Sequence, residues 1–303
     1  MNLRQLEYFV AVARHGNLSH AATALRTGQP ALSRHIRALE VELRRALFHR
    51  NGRGVVLTDA GARFLSYAQN ALRQLEAGRT ALDGSDDDLV GRVTVGMPPS
   101  VAQALTVPLV GAFQQRFGKA SISISEGLSA TLQEQVLVGR IDLAVAHSPA
   151  PSALLHIEPL VDESLYLLSP VAAGAGARQG TVTLKELAGL RLIFPAQPHP
   201  IRRLLESEAE RHGVPLEVGL EVGALGTIPL LVQAGRGHAV VPESVLWAGL
   251  PDKQSIAVRR FVSARLQGRL SLVSSSRRPQ TLLFNGTEAL VRDLLQRIAQ
   301  RVR

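Results

Sequence analysis

The sequence predicts an α/β chain in three parts: an N-terminal winged helix-turn-helix, a long linker helix, and a larger α/β region of two subdomains. Three observations predict it. Between Leu18 and Thr58, two short apolar-periodic helices flank Thr27-Gly28 and lead into an arginine-bearing hairpin around Asn51-Gly52. From Thr58 a narrow apolar stripe runs along one extended helix. From Arg92 onward, strand and helix patterns alternate, as repeated βαβ winding requires.

The first helix spans Asn2 to Ala13, where Leu3, Leu6, Phe9, Val10 and Ala13 recur at three- and four-residue steps and make one apolar face. Asn17 or Ser19 can cap a second helix, in which Ala21, Ala22 and Ala24 allow close approach and Leu25 points inward. Gly28 is expected to supply the sharp turn. Pro30 suits the first turn of a third helix because its missing N–H would have no partner there. Along that helix Ala31, Leu32, Ile36, Leu39 and Leu43 form the buried side, whereas Ser33, Arg34 and Arg37 reach solvent. Phe48 to Leu57 reads as two strands joined by Asn51-Gly52-Arg53-Gly54, a turn tolerant of positive φ, so that Arg50 and Arg53 project from a wing.

This geometry points to DNA. In a helix-turn-helix the second helix of the pair enters the major groove, where Gln29 and Arg34 can make paired hydrogen bonds to base edges. Residues 1–57 carry nine arginines against three glutamates, a net +6 that suits phosphate contacts. Three amphipathic helices with a solvated arginine face would also read as an ordinary bundle.

The linker helix begins at a Thr58 cap, and Ala62, Leu65, Ala68, Ala71, Leu72 and Leu75 form its stripe. Such a stripe asks for a partner helix in another subunit or, alternatively, for the core of its own domain. Asp86-Asp87-Asp88 after Gly84-Ser85 marks its end and a hinge. The expected division is 1–58 for the winged unit, 59–89 for the linker and 90–303 for the α/β region, with subdomains of about 90–161 plus 267–303 and about 162–266.

In the α/β region, strands are expected at Arg92–Met97, Ala120–Ser125, Ile141–Ala146, Leu165–Leu168, Leu192–Phe194, Leu216–Val222, His238–Val241 and Arg269–Val273, with a crossover near Val161. Helices are expected at Val101–Phe117, Ser129–Val138, Pro200–His212, Leu225–Ala234 and Gln280–Val302. Open α/β sheets bind ligands beyond the carboxyl ends of their strands, near helix N-termini. That rule singles out Pro98-Pro99-Ser100, Gly127-Leu128-Ser129, Ala146-His147, Gln197 to His199, and Ala224 to Thr227 with Leu225. Serine and threonine at such positions also serve as plain helix caps, and His147 or His199 beside a strand end also reads as a structural residue.

Composition removes other classes. The chain has no cysteine, so disulfides, thiolate metal sites and thiol redox switching are excluded. No Gly-x-Ser-x-Gly elbow, phosphate loop or His-Glu zinc motif occurs, Gly235-Arg236-Gly237 is too short for a dinucleotide fingerprint, and the nine histidines lack ligand spacing. No catalytic residue, metal site or cofactor is assigned; Asp142 at the start of an apolar strand reads as a structural charge. No signal peptide pattern precedes the first helix and no apolar run spans a bilayer, so a cytoplasmic protein away from the membrane is expected.

A family resemblance rests on Leu3-Arg4-Gln5-Leu6-Glu7-Tyr8-Phe9, Ala21-Ala22 before Leu25, Gln29-Pro30-Ala31-Leu32-Ser33, Leu39-Glu40, Leu47-Phe48 and Leu57-Thr58-Asp59-Ala60-Gly61. Together these resemble the DNA-binding domain of LysR-type transcriptional regulators. The resemblance implies a homodimeric or homotetrameric regulator that binds promoter DNA and responds to a small co-inducer. It implies DNA contacts at Gln29, Pro30, Ser33, Arg34 and Arg53, and an effector cleft shaped like that of periplasmic binding proteins, with Ser100 and Ser129 at co-inducer positions. Gly96 to Ser100, Glu126 to Ser129 and Gly139 to Ala144 further resemble a branch that includes nitrogen assimilation regulators, some of which work without an obvious ligand. The alternative from a different class is a solute-binding protein or α/β enzyme carrying an N-terminal helical bundle.

Overall fold

The computed structural model describes residues 1–51, 54–82, 89–171, 179–250, 252, 254–263, 265–277 and 281–302. The chain forms two compact units, Met1–Gly91 with Val138–Arg140 and Arg92–Leu137 with Ile141–Arg303.

In the first unit, α1 (Leu3–His15) starts with a reciprocal capping box: Gln5 N–H donates to Asn2 Oδ1 and Asn2 N–H to Gln5 Oε1, both at 2.9 Å. Asn17, not Ser19, caps α2 (Leu18–Ala24), accepting from the Ser19 and His20 amides. The turn differs from expectation. Its left-handed residue is Arg26, with φ +50°, while Gly28 has φ −77° and serves as the extended N-cap of α3 (Gln29–Leu43). The cause is the way α2 ends: Thr27 N–H donates to Ala22 O and Arg26 N–H to Thr23 O, a Schellman pair that forces its C′ residue into the left-handed region.

Phe9 is fully buried between Phe48 and Phe64, ring centroids 5.3 Å away on each side. Leu32, Ile36 and Leu39 complete the core from α3 as the periodicity requires, while Leu43 lies at its margin. The wing is an antiparallel hairpin of β1 (Phe48–Asn51) and β2 (Gly54–Leu57), with Phe48 opposite Leu57. Its second strand rests on the end of α1. Val55 N–H donates to Gly16 O at 2.9 Å, and a Cβ on Gly54 would stand 2.6 Å from that same oxygen.

A compact joint then launches α4 (Asp59–Leu82). Glu40 Oε1 accepts from the Leu47 and Phe48 amides, Thr58 Oγ1 donates to Ala46 O at 2.7 Å, and Gly61 N–H donates back to Thr58 Oγ1 at 2.9 Å. Part of the apolar stripe is used within its own unit. Ala68 is buried, and Leu65, Ala71 and Leu72 pack on the core of their own three-helix unit, leaving Tyr67 and Leu75 exposed. The expected hinge at Gly84 to Asp88 lies outside the described residues.

The second unit runs β3 (Gly91–Met97), α5 (Pro99–Arg116), β4 (Ala120–Glu126), α6 (Ser129–Leu137), β5 (Leu143–His147), β6 (Leu155–Pro170) and β7 (Gln179–Val182). It continues with β8 (Arg191–Pro195), α7 (Pro200–Arg211), β9 (Glu217–Val222), α8 (Ile228–Gln233), β10 (Ala239–Pro242), α9 (Ser244–Trp247), β11 (Ile256–Phe261), β12 (Gln267–Ser275) and α10 (Leu282–Val302). The main sheet has the order β4-β3-β5-β12-β6-β11-β7, with β10 also paired to β6, while β8 and β9 form a parallel pair. One apolar cluster joins β3, β5, β12, α5 and α10 on one side, and another gathers around Leu165, Leu187, Phe194 and Phe261 on the other, giving a two-subdomain α/β domain.

Three readings of this domain change. The crossover near Val161 and the strand at Leu165–Leu168 belong to one continuous strand, the 16-residue β6, which runs through both subdomains and pairs antiparallel with β12, β10 and β11. β7 and β11 were not expected. The helix expected over Leu225–Ala234 is a 3-10 turn, Leu225–Thr227, followed by the short α8, which has Pro229 in its first turn. Asp142 is structural as read: its Oδ2 accepts from Thr94 N–H at 2.7 Å and its own N–H donates to Thr94 O, tying β3 to the start of β5.

Candidate functional site

Two surfaces carry the predicted residues, one in each unit. On α3, burial of Leu32, Ile36 and Leu39 forces the opposite face outward, where Gln29, Pro30, Arg34 and Arg37 are exposed and Ser33 is partly covered. Gln29 and Pro30 occupy the first turn, so amide, hydroxyl and guanidinium groups cluster at the N-terminal half of the helix. That is the end a recognition helix offers to base edges. Arg50 lies in β1 opposite Val55, and Arg53 lies outside the described residues.

In the second unit a cavity of about 70 Å³ lies between the starts of α5, α6 and α7 on one hand and β10 and α8 on the other. Pro99, Ser100, Leu128, Ser129, His147, His199 and Leu225 all line it. Thr227 does not; its hydroxyl donates to Ala224 O within the 3-10 turn. Neither lining serine acts as a simple cap. Ser129 Oγ accepts from the His147 amide at 2.9 Å, while Ser100 Oγ accepts from Ser244 Oγ at 3.0 Å and stands 3.5 Å from His147 Nε2.

Behind His147 sits a carboxylate that the sequence reading did not find. Glu163, fully buried in β6, brings Oε2 to 2.9 Å from His147 Nδ1, without the alignment of a hydrogen bond, and its Oε1 accepts from Ser244 N–H at 2.7 Å. Glu243, the residue between β10 and α9, answers by accepting from Ser164 N–H at 3.2 Å. The available signal was a pair of acids close to apolar runs: Glu163 between Leu160-Val161 and Leu165, and Glu243 directly after Ala239-Val240-Val241.

His199 is held mostly neutral. Burial, then the nearby His147 and Arg203 charges, push its pKa down to about 4. Its Nδ1 is buried without a hydrogen-bond partner among the described residues. The serine–histidine–carboxylate order suggests a nucleophilic triad, but the hydroxyl stands 3.5 Å from the ring, outside the roughly 2.6–3.2 Å at which a base activates it. Among the described residues, no cluster of three or more His, Asp or Glu side chains could hold a metal ion.

Comparison with known proteins decides the lineage. Residues 3–62 match the model of bacterial regulatory helix-turn-helix proteins of the lysR family, and residues 86–300 match the LysR substrate binding domain. The chain belongs to the LysR family. It is a DNA-binding transcriptional regulator and not an enzyme. It is 31% identical over 248 residues to the nitrogen assimilation regulatory protein nac of Klebsiella aerogenes, covering 80% of this chain and 79% of that one, which agrees with the branch read from Gly96 to Ser100. It is also 31% identical over 288 residues to the regulator TfdS of Cupriavidus pinatubonensis, covering 94% and 96% of the two chains. Full-length OxyR from Pseudomonas aeruginosa shares the fold at a TM-score of 0.73 and 23% identity, covering 98% of this chain and 95% of that one. Full-length CbnR, solved in complex with its target DNA, matches at 0.57 and 25% identity over 97% and 99% of the two chains.

Proposed function

We propose that this LysR-type protein works in the cytoplasm as a homo-oligomer that holds promoter DNA through α3 and the wing and adjusts that grip when a small molecule enters the cavity of its α/β domain. The observation that carries the reading is the division of α3 into a buried apolar face and an outward face of Gln29, Pro30, Ser33, Arg34 and Arg37. Gln29, Ser33 and Arg34 would meet base edges; Arg37, with Arg50 and Arg53 at the wing, would meet phosphates.

The functional division proposed is 1–58 for DNA, 59–89 for the linker and 90–303 for effector binding, with Pro99, Ser100, Leu128, Ser129, His147, His199 and Leu225 around the effector and Thr227 at the margin. Exposed Tyr67 and Leu75 on α4 supply an apolar surface for pairing of linker helices, alongside contacts of the regulatory domains. Effector binding biases how paired subunits hold two half-sites. Among the described residues no helix is long and apolar enough to cross a membrane.

The test is a gel-shift series on fragments recovered by genome-wide footprinting. Affinity should fall linearly with salt on a double-logarithmic scale, with several phosphate contacts in the slope. Absence of any shift at low salt would favour the solute-binding alternative.

A further inference from the structure

The effector cavity is unlike an anion site in four ways. None of its lining residues is Lys, Arg, Asp or Glu. His147 has the Glu163 carboxylate 2.9 Å from its Nδ1, the nitrogen turned away from Ser100, so a negative charge stands directly behind the ring. His199 is uncharged at neutral pH, its pKa lying near 4. Finally, three of the helix starts around the cavity carry proline in the first turn, Pro99 of α5, Pro200 of α7 and Pro229 of α8. Each proline deletes one of the N–H donors that make a helix start attractive to anions. The starts of α6, at Ser129, and of the four-residue α9, at Ser244, lack one.

The polar features that remain are those of a neutral ligand. Ser100 Oγ and His147 Nε2 stand side by side, and His199 Nδ1 is buried and unpartnered among the described residues. Gln103 at the exposed rim and Ser129 add polar groups, and most of the remaining wall is apolar, including Ile201, Ile228, Val240, Val241 and Val245. At about 70 Å³ the space admits on the order of five or six non-hydrogen atoms, taking roughly 10–15 Å³ for each water-sized occupant.

We infer that this cavity selects a compact, uncharged molecule with a short aliphatic body and one hydrogen-bonding head, such as a small amide, ketone or alcohol, over a carboxylate or phosphate of the same size. The inference rests on the cavity being the effector site. Placing an anion there would desolvate its charge against a mainly apolar wall with no Lys or Arg in the lining, whereas a neutral head finds the Ser100, His147 and His199 groups already placed.

The experiment titrates full-length protein at neutral pH with isobutyramide and isobutyrate, which match in shape and size, by calorimetry or ligand-observed NMR. Isobutyramide should bind in the millimolar range, at least tenfold more tightly than isobutyrate. Gln103→Arg on the exposed rim, which adds the missing cation, should narrow or reverse that preference, and Leu128→Trp, which fills the mouth, should abolish isobutyramide binding. Equal or tighter binding of isobutyrate to the unmodified protein, absence of binding by either compound at tens of millimolar, or isobutyramide binding that survives Leu128→Trp would overturn the inference. The two failures separate: a preference for isobutyrate removes the charge assignment and leaves an effector cavity in place. Unchanged promoter regulation in cells carrying Leu128→Trp removes the effector reading whatever the two compounds do.

Discussion

His199 is a buried group whose protonation works against the fold. The unfolded chain takes up this proton near pH 6.5, whereas the folded protein resists it until about pH 4, because burial and the charges of His147 and Arg203 oppose it. Its folded pKa is depressed, so the folded state is disfavoured progressively as pH falls from about 6.5 through about 4, and is unaffected above that window. We expect His199→Asn to flatten the loss of thermal midpoint over this range and to leave the midpoint's pH dependence above neutrality as it was. An unaltered acid limb would show that His199 does not carry it. At this scale the sequence was partly legible: Ser100, Ser129, His147 and His199 follow strand ends, and that rule places them by the cavity. Glu163 was hidden because it occupies the interior of a long strand and its partner Ser244 lies 81 residues further along the chain.

The helices of the first unit were legible because each buries one face against the same small core, so periodicity and packing agree. Arg26 was not, since the left-handed position was decided by how α2 closes and not by where glycine stands. On α4 the spacing of Leu65, Ala68, Ala71 and Leu72 does not say which surface they meet, and they pack on the core of their own unit. β7 and β11 escaped notice because they are short and irregular in hydrophobic pattern. β6 escaped because Asp162-Glu163-Ser164 interrupt its apolar run, although that polar break is where the strand passes between subdomains. The joint at the start of α4 gives a test in which two physical effects predict opposite signs. Helix propensity alone says Gly61→Ala should stabilise by about 1 kcal/mol. Packing says otherwise, because the added Cβ would lie 2.0 Å from the backbone oxygen of Leu47. A backbone oxygen cannot swing aside, so we expect a net loss of roughly 1–3 kcal/mol, read as faster amide exchange across α1 and β1 in the full-length protein. Slower exchange would mean the joint relaxes freely.

Across the whole molecule charge is distributed with purpose. The net +9 arises from a +6 excess in residues 1–57 and ten arginines against two acids in residues 259–303, whereas residues 58–89 carry three arginines against six acids. The first excess surrounds α3 and the wing and suits a polyanion. Arg34 separates sequence reading from mere attraction, since it is exposed on α3 with the core residues Leu32 and Ile36 turned the other way. The most direct measurement compares Arg34→Ala with the parent protein in competition gel shifts on a footprinted promoter duplex and on a scrambled duplex of equal length. We expect the variant to lose about 1–3 kcal/mol on the promoter and much less on the scrambled duplex, as removal of a base contact requires. Equal losses on both would make Arg34 a phosphate contact, and no loss on either would contradict the placement of α3 in the major groove.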